Sequence, residues 1–137
     1  MNRFRKLLVV CGLLPMLIIL TSCAPVTHED ITAANLTGRW ELVSNGETEW
    51  LNLKADGTVS AKITRNGFIA TTLSQGPQVD VAGSWELDDT MITLQLMSST
   101  EPGLEGQVHS YKIISLNNQS MQTVNASGQQ KTLRRVD

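Results

Sequence analysis

Beyond residue 23 the chain has no cysteine, which removes disulfides as a source of stability for everything that follows. Histidine is nearly as scarce: His28 and His109 stand alone, without a Cys or second His at ligand spacing, so no metal site is expected. No Gly-x-Ser-x-Gly, His-Glu-x-x-His or phosphate-cradling glycine loop occurs. Their absence speaks against an enzyme, and no cofactor is expected. Runs of Lys or Arg are missing too, and 11 basic residues against 13 acidic ones give a net charge of −2, a poor match to nucleic acid. Aromatic residues make up only 4% of the chain, three of them Trp and one Tyr. From Leu36 onward no segment holds the apolar spacing of an amphipathic helix.

What is present begins at the amino terminus. An apolar run from Leu7 to Leu20 follows Arg3, Arg5 and Lys6, and small residues precede Cys23, the layout of an export signal with its cleavage site. A plain signal peptide or a single membrane span is the competing reading. The run is shorter than the roughly 20 residues a spanning helix needs, Pro15 interrupts it, and no basic stop-transfer cluster follows. Leu20-Thr21-Ser22-Cys23 resembles the lipobox of bacterial lipoproteins, an aliphatic residue and two small ones before Cys. The resemblance implies that Cys23 receives a diacylglycerol, that residues 1–22 are removed, and that the new amino terminus is acylated, commonly with palmitate. Two or more acyl chains hold a domain firmly at a membrane. Ala24, where an Asp would signal retention, favours the outer membrane facing the periplasm if the source has two membranes.

Removal of the leader leaves 115 of the 137 residues, one ordinary domain. It also removes three basic residues and no acidic ones, so eight bases stand against thirteen acids and the net charge becomes −5. That balance argues against electrostatic attachment to anionic lipid. Residues 23–35, with Pro25, Thr27, Glu29 and Asp30 and no sustained period, read as a lipidated tether. If flexible, a tether of that size reaches about 20 Å, which keeps the domain, residues 36–137, close to the bilayer.

That domain reads as short strands and tight turns. Leu51 and Leu53 alternate with polar residues, Ala55-Asp56-Gly57 turns the chain, and Val59, Ala61 and Ile63 alternate again, as a hairpin requires. Asn66-Gly67 is a second hairpin signal, because both residues tolerate the positive φ of a type I′ turn, and it predicts a return strand over Phe68 to Ser74. Trp85 and Leu87, then Ile92, Leu94 and Leu96, line further strand faces on either side of Asp88-Asp89. Ser98 to Gly106 is the longest polar connection. Tyr111 and Ile113, Met121 to Asn125, and Leu133 with Arg135 complete the pattern. The reading is all-β: an antiparallel up-and-down barrel of about eight to ten strands, with a β-sandwich as the alternative.

One phrase occurs twice. Gly38-Arg39-Trp40-Glu41-Leu42 returns as Gly83-Ser84-Trp85-Glu86-Leu87, and in each copy Trp and Leu share a face while Glu takes the other. Together with Leu36, Leu51, Leu53, Asp56-Gly57, Tyr111, Ile113, Leu116 and Arg135, the phrase resembles the small lipocalin-like domains of bacterial lipoproteins. Such domains open with Gly-x-Trp and set an arginine of the last strand across that Trp. The resemblance implies barrel closure by Trp40 and Arg135 and a capacity for a small apolar ligand.

Glu41 and Glu86, out of phase with the tryptophans, are expected on the solvated face, and Asp88-Asp89 as turn chemistry. Trp40 and Trp85, each in phase with a leucine, are expected in the core. Trp50 is out of phase with Leu51 and Leu53 and lies beside Glu47 and Glu49, which makes it an outward contact candidate. Trp50, Trp85 and Tyr111 are the candidate contacts for a ligand, a carbohydrate platform included, or for a partner. Two function classes follow. One is a membrane-anchored binding module taking a small apolar or lipid ligand; the other is an assembly lipoprotein with a filled barrel that docks another envelope protein. The inward aliphatic positions suit either.

Overall fold

The computed structural model of the chain describes residues 30–44, 46–65 and 78–136. The leader, Cys23, His28, the Asn66-Gly67 turn and the return strand expected at Phe68 to Ser74 lie outside these residues. Among the described residues there is one short helix, α1 (Ala33–Leu36), followed by β1 (Gly38–Ser44), β2 (Glu47–Leu53), β3 (Thr58–Arg65), β4 (Gln78–Asp88), β5 (Met91–Ser99), β6 (Val108–Leu116), β7 (Ser120–Val124) and β8 (Gln130–Val136). Each strand pairs antiparallel with the next, and β8 returns to β1, so the eight strands close a barrel. The sandwich alternative is thereby excluded, because closure leaves no open sheet edge.

Alternation positions the core. Trp40, Leu42, Leu51, Leu53, Val59, Trp85, Ile92, Ile113, Met121 and Leu133 are buried inside, with Leu36 of α1 pressed in from one end. Ile31 also packs on this core, so the segment expected to be tether is in contact with the barrel from there on. The helix forms because Thr32 caps it, its hydroxyl accepting from the Asn35 N–H. Four residues without an apolar stripe give no periodic signal, which is why α1 is invisible to pattern reading.

Two bulges keep the phase correct. In β5, Met97 is an extra residue between Leu96, opposite Gly83, and Ser98, opposite Ala82. In β6 the extra residue is Ile114, so Ile113 and Leu116 both face inward although three apart. At Gly83 a Cβ would overlap the Gln95 carbonyl oxygen, and this close approach demands glycine at the second Gly-x-Trp phrase.

The turns follow the expected chemistry. The Asp56 carboxylate accepts from the Thr58 N–H at 2.9 Å and its hydroxyl, which holds that carboxyl below its usual pKa. Asp89 takes a positive φ of 53°. Buried Asn117 accepts from the N–H groups of Gln119 and Ser120 at 2.8 and 2.7 Å, tying the β6–β7 turn internally.

Candidate functional site

Three places deserve comparison: the closed end of the barrel, its mouth and its outer face. At the closed end Trp40 lies opposite Arg135 in the β1–β8 register. The guanidinium carbon stands 4.3 Å from the indole centroid, a cation–π contact. Arg135 also donates from Nη1 to the Thr37 carbonyl at 3.0 Å and from Nη2 to the Asn35 carbonyl at 2.6 Å. The Trp40 indole N–H donates to the Leu36 carbonyl at 2.9 Å. These acceptors are the carbonyls at and just past the end of α1, which the helix itself leaves unpaired. Gly38 makes room: its φ is +137°, and a Cβ there would stand 2.9 Å from Arg135 Nη1. Trp85 seals the same floor, its indole N–H donating to the Lys54 carbonyl at 2.9 Å. Its exposure of 8% leaves it little surface for a ligand.

The mouth differs from an apolar funnel. Leu42, Leu51, Ile92, Leu94, Met121 and Leu133 line a residual cavity of about 50 Å³, rimmed by Glu49, Tyr111, Thr123 and Lys131. Burial pushes the Tyr111 hydroxyl above its ordinary pKa, and the negative charge of Glu49 pushes it further. On the rim Arg65 bridges Glu101 at 2.9 Å and Glu47 at 3.1 Å, joining β2, β3 and the β5–β6 connection; the hydrogen bond to Glu101 is the main cause that raises this guanidinium above its ordinary pKa. Sequence reasoning singled out Tyr111 but missed its charged neighbours. The signal was there: Glu47 and Glu49 are in phase with Leu51, Arg65 with Ile63, and Lys131 with Leu133.

Trp50 is on the outer face, half-buried. Cross-strand register sets it between Glu41 and Lys62, with Asp80 next beyond Lys62. The adjacent rung runs Arg39, Asn52, Ser60, Ala82 and Ser98. Apart from Glu41, the residues of these two rungs line an open concavity of about 1040 Å³. Glu41 and Glu86 are outward as expected, Glu41 being ion-paired with Arg134. Among the described residues no group of three His, Cys, Asp or Glu is gathered for a metal ion, and no helix is long and apolar enough to cross a membrane.

The solved structures that resemble this chain share its barrel. A lipocalin-like protein from Bacteroides uniformis superimposes with a TM-score of 0.53 at 16% identity, over 74% of this chain and 99% of that one. The fold is lipocalin-like. An uncharacterised protein from Bacteroides eggerthii matches the lipocalin-like barrel with a TM-score of 0.50 at 15% identity, over 73% and 98% of the two chains. A protein from Bacteroides thetaiotaomicron does so at 0.53 and 12%, over 81% and 98%. At these identities the likeness concerns fold alone. No protein-family profile matches the chain, and no curated protein matches it.

The floor of the lipocalin-like barrel yields a stability prediction. Arg135→Ala removes a cation–π contact of about 0.5–2 kcal/mol and two charge-assisted hydrogen bonds, and is expected to cost about 2–4 kcal/mol in all. Arg134, with a side chain 72% exposed, makes a surface ion pair whose loss costs about 0–1 kcal/mol. Urea unfolding of both variants checks the difference; equal, negligible effects would contradict the clamp.

Tyr111 is the one tyrosine, so its titration can be read directly from tyrosinate absorbance. The unfolded phenol ionises near its ordinary value of about 10 and the folded one above it. Stability is therefore unaffected by this group below that value and falls as pH rises through the folded pKa. The expected midpoint lies above the ordinary value and moves down in Glu49→Gln. A wild-type midpoint at the ordinary value would contradict the buried, anion-facing environment.

Proposed function

We propose that this chain is a lipid-anchored envelope lipoprotein without enzymatic activity, whose barrel is a packed scaffold that recognises a partner on its outer face. A contrast of volumes carries the reading. The cavity beneath the mouth has about 50 Å³, whereas sites for small organic ligands span roughly 300–1,000 Å³. The concavity around Trp50 has about 1040 Å³. A fatty acyl chain entering the barrel would have to displace Ile92, Met121 and Leu133 from a close-packed interior. It would also pass Glu49 and Lys131 at the mouth, whose charged ends lose hydration against hydrocarbon.

The anchor half of the reading rests on the lipobox resemblance at Leu20-Thr21-Ser22-Cys23. With Cys23 acylated and Ile31 already against the barrel, only a few residues separate lipid from domain, so the scaffold would work at the membrane surface. Ala24 supports an outer-membrane location facing the periplasm where two membranes exist. The protein envelope partner considered from sequence stays within this reading; the small apolar ligand is its competitor.

Titration of residues 24–137 with fatty acids and a fluorescent apolar probe is expected to give no saturable binding. Saturation at micromolar concentration would return the function to an apolar ligand inside the barrel. For the anchor, Cys23→Ala is expected to abolish incorporation of labelled palmitate, and equal incorporation in both proteins would contradict lipidation at this residue.

A further inference from the structure

The outer concavity has a definite chemistry. Strands lie about 4.8 Å apart and residues on one face repeat every two positions, so the side chains around Trp50 form a regular lattice. Lys62 is directly across from Trp50 on one side and Glu41 on the other; Asn52 is the next outward residue along β2, with Arg39 and Ser60 opposite it. Asp80 faces Lys62, and its own N–H is held by the Thr100 hydroxyl at 3.0 Å. The Asp80 carboxylate accepts from the Gln78 side-chain amide at 2.8 Å, leaving acceptor capacity directed to solvent. Among the described residues neither Arg39 nor Lys62 is engaged in an ion pair.

The face thus presents a half-buried indole ringed by both donors and acceptors; with Glu41 neutralised by Arg134, Arg39 and Lys62 stand as two cations to the single anion Asp80. Hydrocarbon would strip water from Lys62 and Asp80 without replacing it. Nucleic acid needs a basic stripe, which Asp80 and Glu41 interrupt. Addition of a peptide strand needs an unpaired sheet edge, whereas β2, β3 and β4 are bonded on both sides here. A pyranose has the complementary surface: a flat C–H face for an indole, and hydroxyls that donate and accept around its edge.

We infer that the Trp50 concavity is a saccharide-binding face, taking pyranose units of a neutral or weakly anionic glycan by stacking on Trp50 and hydrogen bonding to Asn52, Lys62 and Asp80. This deepens the outer-face reading and rests on it. The weak cationic excess of Arg39 and Lys62 over Asp80 suits a carboxylated sugar better than a cationic one.

The test titrates the full-length chain in detergent with chitotriose, cellotriose, maltotriose and trigalacturonate, followed by calorimetry. At least one is expected to bind saturably in the micromolar to millimolar range. Trp50→Ala is expected to weaken binding at least about tenfold, Trp50→Phe to retain part of it, and Asp80→Asn to weaken it, with unfolding midpoints near wild type. The Phe variant keeps the stacking surface, so it separates loss of stacking from loss of fold. No saturable binding of any of the four, or binding indifferent to Trp50→Ala, would overturn the assignment. A Trp50-dependent protein partner without saccharide binding would also overturn it, while leaving the outer-face reading intact; saturable fatty-acid binding would instead strike that reading itself.

Discussion

A guanidinium laid over an indole holds the first and last strands of this barrel together. Among the described residues the seam between β1 and β8 has three residue pairs in register, Arg39 with Val136, Trp40 with Arg135 and Glu41 with Arg134, against seven between β1 and β2. So short a ladder is the weakest place in a closed sheet, and it joins segments almost a whole domain apart in sequence, where loop closure opposes it. Side chains reinforce it on both faces: Arg135 on Trp40 and the carbonyls around α1 inside, Arg134 on Glu41 outside. With no cysteine beyond residue 23, this seam is what converts a meander with two exposed edges into a barrel with none.

Closing the floor so tightly has a consequence for function. Trp40, Leu36, Leu53, Ile113, Leu116 and Met121 are all essentially inaccessible, and two tryptophans with their indole N–H groups bonded to backbone carbonyls leave no slack at the bottom. The upper interior ends in Glu49, Tyr111 and Lys131 rather than in hydrocarbon. In the proposed reading the barrel serves as a rigid body, and recognition falls to the concavity that spans β1 to β5. A rigid sheet is a good support for such a site, because side-chain positions are set by register and not by a mobile loop.

Much of this was legible in residue order, for reasons specific to each place. Period-two alternation located Leu51, Leu53, Ile92, Leu94 and Ile113 inside, and the repeated Gly-x-Trp-Glu-Leu phrase pointed both tryptophans inward, whereas the arginine across Trp40 was implied only by the lipocalin-like resemblance. Trp50 could be assigned outward from its phase alone. The helix at Ala33–Leu36 was not legible, since it is specified by one capping threonine and by the arginine that meets its end from the far terminus. Nor were the bulges at Met97 and Ile114, which are set by packing across strands and leave no local mark. Glu49 and Lys131 were legible in phase but overlooked, because charged residues are ordinarily assigned to solvent; a barrel mouth is where inward positions and water coincide.

A packed scaffold requires an interior that is already full. Native mass spectrometry of residues 24–137, purified from cells without a delipidation step, tests it most directly, since a barrel with a lipid-sized cavity retains lipid through purification and a filled one has nowhere to keep it. A filled interior gives a single species at the mass of the polypeptide. A second species heavier by the mass of a fatty acid or phospholipid, and lost on mild collisional activation, would contradict it.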